Sequence, residues 1–319
     1  MVQNTIAIVW DFDKTLIREY MQTPIFDKFG VDQSQFWAEV EQLPKKYAEE
    51  GININRDLIY LNHMITCVHQ GIFPGLNNEM LFDLGSQMKF YNGVPKIFDK
   101  LRSVVDDNDK YNDCRIKVEH YIISTGLTQM IKGSAVNEFI DGVWGCEFIE
   151  RPFESKLLGH NSEPLLLQVD AGKVISQIGS IIDNTSKTRV VFELRKGVNK
   201  HPEINVNGKM DAEAYRIPFK NMIYIADGPS DVPVFSVLKK NGGKTFAVYP
   251  HGDENGLEQV DNLLQNGRID AFGEADYTEG STSFLWLKKK VEIMADRIYD
   301  EYLGEIAAAT TVAPAHLTD

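Results

Sequence analysis

The feature that most constrains the fold is a set of short apolar runs that each end in polar residues. The run at 5–11 reads TIAIVWD, and the runs at 118–125, 221–227 and 244–249 follow the same pattern. Runs that are apolar on both faces are typical of strands buried inside a parallel sheet. Because helical stretches separate these runs, the sequence predicts an α/β fold with helices on both faces of a parallel sheet.

A long helical stretch lies between the first two apolar runs, at about residues 20–90. Thr23 is placed to cap a first helix, and Gly30 is placed to end it. The spacing of apolar residues predicts two more helices at about 32–43 and 56–70. So much helix without a strand favours a separate cap inserted into the sheet domain.

We therefore expect a helical cap domain at 18–90, inserted into a core domain that is made of 1–17 and 91–319. In the core, the stretch 142–170 favours a strand or a hairpin extension. A helix at about 185–196 and an irregular insertion at 197–217 follow. Near the end, an apolar stripe of helical spacing predicts a helix that packs on the core, and its members are Phe284, Leu287, Val291, Met294, Ile298 and Tyr302.

Composition and charge exclude several classes of protein. The net charge is -13 and the pI is about 5.1, a balance that repels nucleic acid and anionic membranes, so neither is expected as a partner. Three scattered cysteines are too few for a disulfide framework or a cysteine zinc site. The first apolar run is too short for a signal or membrane span, so we expect a cytoplasmic protein. No heptad pattern indicates an oligomeric state.

Two carboxylates follow the first predicted strand, at Asp11 and Asp13. A carboxylate held rigidly at a strand end faces the crevice of an α/β sheet and can act as a nucleophile. Attack on a phosphate monoester brings two anions together, and a bound Mg²⁺ would neutralise their charge. Mg²⁺ usually takes one or two carboxylates, phosphate and water, so a second acidic pair is expected elsewhere.

The second acidic pair lies in IYIADGPSD, where Asp227 ends a predicted strand and Asp231 follows four residues later. Either residue could complete a metal site with Asp11. Asp13 lies two residues beyond the nucleophile, where it can protonate the leaving oxygen and later accept a proton from water.

Phosphoryl oxygens need hydrogen-bond donors and a cation as well. Ser124 ends the segment HYIIS of the predicted strand at 118–125, and the backbone amides of Thr125 and Gly126 follow it. Thr125 could also take the place of Ser124. Lys187, at the start of the predicted helix, is placed to supply the cation, and Lys173 is the alternative.

The ordered set DFDKT, Ser124, Lys187 and DGPSD resembles the four motifs of the haloacid dehalogenase (HAD) superfamily, specifically its phosphatases. The helical stretch between the first and second motifs is similar to that of the phosphoserine phosphatase-like subgroup. The resemblance implies a Rossmann-like parallel sheet core, the HAD fold, with an inserted α-helical cap.

Roles for individual residues also follow from the resemblance. It implies that Asp11 is the nucleophile, Asp13 the general acid and base, Ser124 a phosphoryl ligand and Lys187 the stabilising cation. It further implies an Mg²⁺ cofactor held by the Asp11 side chain, the Asp13 backbone carbonyl and Asp227, with Asp231 in support.

Asp13 also discriminates within the superfamily, because dehalogenases, phosphonatases and P-type ATPases differ at this position. The predicted function is therefore an Mg²⁺-dependent phosphatase that hydrolyses a small phosphorylated metabolite through an aspartyl-phosphate. A phosphotransferase or mutase of the same chemistry and a non-catalytic binding module are the alternatives. Serine specificity stays open, because Tyr20, next to Glu19, occupies the position where an acid would contact a serine amino group. Both residues are candidate substrate contacts.

Overall fold

The computed structural model describes residues 3–151 and 173–310. In this part of the chain, seven strands form one sheet in the order β4-β3-β2-β1-β5-β6-β7. The strands are β1 (Thr5–Trp10), β2 (Lys117–Leu127), β3 (Gly142–Ile149), β4 (Gln177–Ser180), β5 (Met222–Ala226), β6 (Lys244–Tyr249) and β7 (Ala271–Glu274).

The helices lie between and around these strands. They are α1 (Thr23–Phe29), α2 (Gln33–Glu49), α3 (Ile59–His69), α4 (Asn78–Gly85), α5 (Lys96–Asp106), α6 (Asp109–Asn112), α7 (Thr128–Lys132), α8 (Asn184–Lys196), α9 (Val232–Lys240), α10 (Glu254–Gln265) and α11 (Thr282–Thr310). The described part of the chain contains no helix with the length and apolarity needed to cross a membrane.

Strand β1 lies at the centre of the sheet, and all six of its residues are buried. Trp10 pairs with Ile122 of β2 on one side and with Ile225 of β5 on the other, both in parallel. Every neighbouring pair of strands is parallel except β3 and β4, which are antiparallel. The predicted α/β fold is confirmed, and the carboxyl ends of β1, β2 and β5 meet at one edge.

Both faces of the sheet are covered by apolar side chains. Along β1, Ile6 and Ile8 pack into one buried cluster, and Ala7 and Val9 pack into the other. Helix α11 lies on the first cluster through its predicted stripe, of which Phe284, Leu287, Val291, Met294 and Ile298 are buried. Because successive side chains of a strand point to opposite faces, burial of both faces explains why residues 6–10 are all apolar.

The stretch 142–170 contains β3, as predicted, and β3 forms a hairpin extension with β4. The second strand, Gln177–Ser180, comes later in the chain than expected, and residues 152–170 of the prediction lie outside the described residues. Helix α8 confirms the prediction at 185–196.

The first helix of the insert begins differently from the prediction. Thr23 is the first residue of α1 and not its cap, because Gln22 occupies the cap position. The Thr23 hydroxyl donates instead to Oε1 of Gln33, at 3.0 Å. Gly30 ends the helix with a φ of 65°, as the sequence predicts, since glycine adopts this left-handed conformation at low cost.

Helix α2 runs to Glu49, through Pro44 and beyond the predicted end at residue 43. Proline removes a helical hydrogen bond, but the apolar stripe continues past it and keeps this side of the helix on the core. The stripe consists of Phe36, Val40, Leu43 and Tyr47. Helix α3 begins at Ile59, three residues after the predicted start.

The insert leaves and rejoins the sheet domain at neighbouring residues. Ile17 and Phe90 form an antiparallel bridge. The backbone amide of Tyr91 donates to the carbonyl of Leu16 at 2.9 Å. These contacts lie at the predicted connections, and the division into domains at 18–90 stays a prediction.

Helix α4 of the insert makes backbone contact with α7 of the core. A Cβ placed on Gly85 would lie 2.2 Å from the carbonyl oxygen of Met130, and one on Gly133 would lie 1.7 Å from that of Phe82. The amide of Asn78, at the start of α4, donates to the carboxylate of Glu150 at 2.7 Å. Only glycine allows two backbones to come this close.

Candidate active site

Asp11 lies directly after β1, where its backbone amide donates to the carbonyl of Ile225 at 2.8 Å. Its buried carboxylate accepts two hydrogen bonds. Oδ1 accepts from Nζ of Lys187 at 2.7 Å, and Oδ2 accepts from the hydroxyl of Thr15 at 3.1 Å. The two contacts fix the orientation of this carboxylate at the edge of the sheet.

Lys187 lies in the first turn of α8 and is almost completely buried. Its Nζ also donates to Oδ1 of Asp231 at 2.8 Å. Burial would lower the pKa of Lys187, but the carboxylates of Asp11 and Asp231 raise it above its ordinary value. The lysine is therefore a permanent buried cation between two carboxylates, whereas the alternative, Lys173, is exposed.

Asp231 ends a short 3-10 turn after β5 and has no exposed surface. Besides Lys187, its Oδ1 accepts a hydrogen bond from the hydroxyl of Tyr224 at 2.5 Å. Its Oδ2 accepts from the hydroxyl of Ser230 at 2.7 Å. Both oxygens of Asp231 are thus engaged by protein donors.

Asp227 follows β5 directly and completes an acidic group with Asp11 and Asp231. Each of the three offers one carboxylate oxygen, and these oxygens lie within 4.8 Å of one another. Burial and the neighbouring carboxylates raise the pKa of Asp227 to about 7, and burial raises that of Asp11 to about 6 although Lys187 opposes it. One lysine does not balance this charge, and an all-oxygen donor set suits Mg²⁺.

Asp13 lies beside this group and is half-buried. Its Oδ1 accepts a hydrogen bond from the backbone amide of Met21 at 3.0 Å. Burial, followed by repulsion from Asp11, raises the pKa of Asp13 to about 8. A carboxyl with this pKa carries a proton at neutral pH and can donate it.

Ser124 is buried on β2, at the same edge of the sheet as Asp11. The strand continues past its predicted end at Thr125 to Leu127, with an irregular register after Ile123. The Ser124 hydroxyl accepts a hydrogen bond from the amide of Gly126 at 3.0 Å, so this amide already has a partner. The carbonyl of Thr125 accepts from the hydroxyl of Tyr60 at 2.7 Å.

The predicted substrate contacts on the insert, Glu19 and Tyr20, are both exposed. The hydroxyl of Tyr20 accepts a hydrogen bond from Nζ of Lys14 at 3.1 Å. The Tyr20 ring packs against Trp37, with centroids 5.4 Å apart. A lysine therefore lies where an acid would be needed to contact an amino group, and the roles of Glu19 and Tyr20 stay predictions.

Three contacts of the site were not predicted from the sequence. Thr15 lies inside the DFDKT motif, so its position relative to Asp11 offered a signal. Tyr224 shares β5 with apolar residues and has no distinguishing pattern. Tyr60 reaches Thr125 from α3 only because the insert folds over the sheet edge. In all, the structure brings Asp11, Lys187, Asp227 and Asp231 together, with Asp13 next to them, and their catalytic roles stay predictions.

Comparison with known proteins identifies both a sequence relative and a fold. No family model matches the chain. An uncharacterised protein of Borreliella burgdorferi is 37% identical over 296 residues, which cover 91% of this chain and 97% of the relative.

A solved hydrolase structure gives the fold. A HAD family hydrolase from Salmonella enterica serovar Typhi has a TM-score of 0.52 and 16% identity, over 89% of this chain and 70% of that one. A probable phosphoserine phosphatase from Vibrio cholerae has a TM-score of 0.48 and 13% identity, over 92% of this chain and 67% of that one. The chain belongs to the same family as the Borreliella protein, and its fold is that of the haloacid dehalogenase superfamily.

Proposed function

We propose that the protein is an Mg²⁺-dependent phosphatase that hydrolyses a small phosphate monoester through an aspartyl-phosphate on Asp11. The observation that carries the proposal is the environment of the Asp11 carboxylate. Lys187 and Thr15 hold it at the sheet edge, and the carboxylates of Asp227 and Asp231 lie beside it.

In the first step, an oxygen of Asp11 attacks the phosphorus atom, and the bond between phosphorus and the leaving oxygen breaks. Asp13 gives its proton to that oxygen, so the product leaves as a neutral alcohol. The raised pKa of Asp13, about 8, keeps this proton available at neutral pH. The amide of Met21 holds the Asp13 carboxyl in place.

In the second step, water attacks the phosphorus atom and the bond between phosphorus and Asp11 breaks. Asp13, now a carboxylate, accepts the proton of the water, and inorganic phosphate forms. The ammonium of Lys187 compensates the charge of the Asp11 carboxylate before the first step and again when the second step releases it. The Ser124 hydroxyl is proposed to contact a phosphoryl oxygen.

The residues present fit a divalent cation, because three carboxylates offer oxygens within 4.8 Å of one another and, among the described residues, a single buried lysine lies between them. Asp11, Asp227 and the backbone carbonyl of Asp13 would hold it. Mg²⁺ supplies the positive charge that reduces repulsion between the phosphate and the carboxylates. Asp231, whose oxygens already accept from Lys187, Tyr224 and Ser230, would support the site by positioning Lys187.

Hydrolysis of an aryl phosphate with and without Mg²⁺ tests the proposal. We expect activity that a chelator removes and that Asp11→Asn lowers by at least about 10³-fold, since the nucleophile is lost. Acid quenching followed by mass spectrometry of peptides should find phosphate on Asp11 in the parent.

Asp106→Asn is the matched control, because it makes the same change at an exposed aspartate at the end of α5 and should retain activity. Activity that persists in Asp11→Asn, or that is independent of divalent cations, would contradict the mechanism.

A further inference from the structure

Three buried polar atoms of the insert have no hydrogen-bond partner among the described residues, and one of them is Oδ1 of Asn78, at the start of α4. The other two are Oε1 of Gln22, whose residue is 2% exposed, and Nε1 of Trp37. Both residues belong to what we term the cap wall, which consists of Tyr20, Gln22, Trp37 and Tyr60. An unpaired buried polar atom costs about 1–3 kcal/mol, so each of these atoms indicates a missing partner.

The orientation of the Gln22 amide follows from its neighbour. The Tyr60 hydroxyl donates its proton to the carbonyl of Thr125 at 2.7 Å, so its oxygen can only accept from other groups. The Gln22 side chain lies near this hydroxyl, and its amino group is the part of the amide that can donate to it. The carbonyl oxygen of Gln22 has no partner among the described residues, so it can accept a hydrogen bond from a ligand.

The cap wall lies next to the proposed general acid. Met21, the residue before Gln22, donates its backbone amide to Asp13 at 3.0 Å. Tyr60 donates to the carbonyl of Thr125, so it contacts the segment that carries the proposed phosphoryl ligand Ser124. Because Asp13 must touch the leaving oxygen, the rest of the leaving group must lie near these residues.

The charge of this region argues against a cationic leaving group. All four side chains of the cap wall are neutral. The cation beside them is Lys14, whose Nζ lies 3.1 Å from the Tyr20 hydroxyl and 4.4 Å from the ring centroid. A buried ammonium of a substrate requires an anionic partner, and Lys14 would repel it.

We propose that Gln22 is a specificity-determining residue whose Oε1 accepts a hydrogen bond from a hydroxyl of an uncharged leaving group. The substrate class is then a phosphate monoester of a hydroxylated alcohol and not of an amine. This inference rests on the proposed phosphatase function, because it places the leaving group by means of Asp13.

Three matched substrates test it: hydroxyethyl phosphate, aminoethyl phosphate and ethyl phosphate. The parent should have a kcat/KM for hydroxyethyl phosphate about two- to ten-fold above that for ethyl phosphate, as one neutral hydrogen bond provides. Aminoethyl phosphate should be the poorest of the three. Gln22→Met should remove the advantage of the hydroxyl, and Gln22→Glu should raise the relative kcat/KM for the amine.

Gln70→Met is the control, because Gln70 is an exposed glutamine of the same insert and its loss should leave all three ratios unchanged. Equal ratios in the parent and in Gln22→Met, or a parent that prefers the amine, would overturn the inference. A parent that hydrolyses neither these esters nor the aryl phosphate contradicts the phosphatase proposal itself. If Gln22→Met fails to fold, the preference of the parent and the ratios in Gln22→Glu decide the question.

Discussion

The two sides of the candidate active site differ in how their polar groups are satisfied. On the sheet side, the carboxylate oxygens of Asp11 and Asp231 accept hydrogen bonds from Lys187, Thr15, Tyr224 and Ser230. On the cap wall, Gln22 Oε1 and Trp37 Nε1 are buried and unpaired among the described residues. The carboxylates of the sheet side are held in place by protein donors, without a ligand. The cap wall, by contrast, has two polar atoms that a ligand could pair with.

The sheet side is also charged and the cap wall neutral. Under the proposed function, this difference separates two tasks. The charged groups suit the phosphoryl group that all substrates would share, and the neutral groups suit the part that would vary between substrates. The following predictions test whether the sheet side is held together by its charges as this comparison requires. They run from the largest expected effect to the smallest.

The largest expected effect is a loss of stability with rising pH in the metal-free protein. The folded-state pKa values of Asp11, Asp13 and Asp227 are raised, chiefly by burial, to about 6, 8 and 7. Above about pH 4, the folded state therefore binds more protons than the unfolded state. The free energy of unfolding therefore falls as pH rises. Each of these carboxyls contributes a fall of about 1.4 kcal/mol per pH unit, until the pH passes its pKa in the folded state.

Urea denaturation between about pH 5 and pH 8 in a chelator measures this slope. Added Mg²⁺ should restore stability most at the alkaline end, because the carboxylates that would bind it are ionised there. Asp227→Asn should flatten the profile. A flat profile in the parent would show that these carboxylates are not desolvated in the folded protein.

The next effect is that of removing the buried cation. Lys187→Met leaves Asp11 and Asp231 without their partner, and breaking a buried pair in this way costs about 3–5 kcal/mol. Chemical denaturation should report this loss in the free energy of unfolding. Adding Asp231→Asn to the same chain should recover part of it, because one unpaired charge is removed.

Lys289→Met is the matched control, since Lys289 is 65% exposed and pairs with Glu292 at the surface. Its loss should cost less than about 1 kcal/mol. If the two lysine variants lost equal stability, the sheet side would not depend on its buried charges.

The smallest effect is expected from Tyr224→Phe. The substitution keeps the buried ring and removes one of the donors to Asp231, which retains Lys187 and Ser230. The loss should be about 1–2 kcal/mol in the free energy of unfolding. Tyr299→Phe, on a half-buried ring of α11, is the control and should change stability by less than about 0.5 kcal/mol.

The sheet side was largely predictable from the sequence, and the cap wall was not. Apolar runs identify buried strands, and parallel strands must meet at one edge, so the proximity of Asp11 and Asp227 follows from two local patterns. Lys187 follows from the start of a helix. By contrast, the contact of Tyr60 with Thr125 joins residues 65 positions apart. It depends on how the insert docks, which no local pattern encodes.

The ends of the helices were also predicted less well from the sequence, because they too depend on tertiary packing. Thr23 has the side chain of a good cap, yet Gln22 takes that position, and the hydroxyl of Thr23 finds Gln33 instead. Pro44 is a strong stop signal, but packing of the surrounding apolar stripe carries α2 past it. Local propensity is a weaker force than tertiary packing in both cases.

The contact between Gly85 and Gly133 has a consequence for protein engineering. Helix α4 belongs to the insert by sequence, but its backbone packs closely against α7 of the core and the amide of Asn78 donates to Glu150. A chimera in which a foreign cap replaced all of 18–90 would lose these contacts of α4 and expose α7. Cutting the chain ahead of Asn77 would leave α4 in place and transfer α1 to α3 alone, which makes that point the better junction for grafting new substrate specificity.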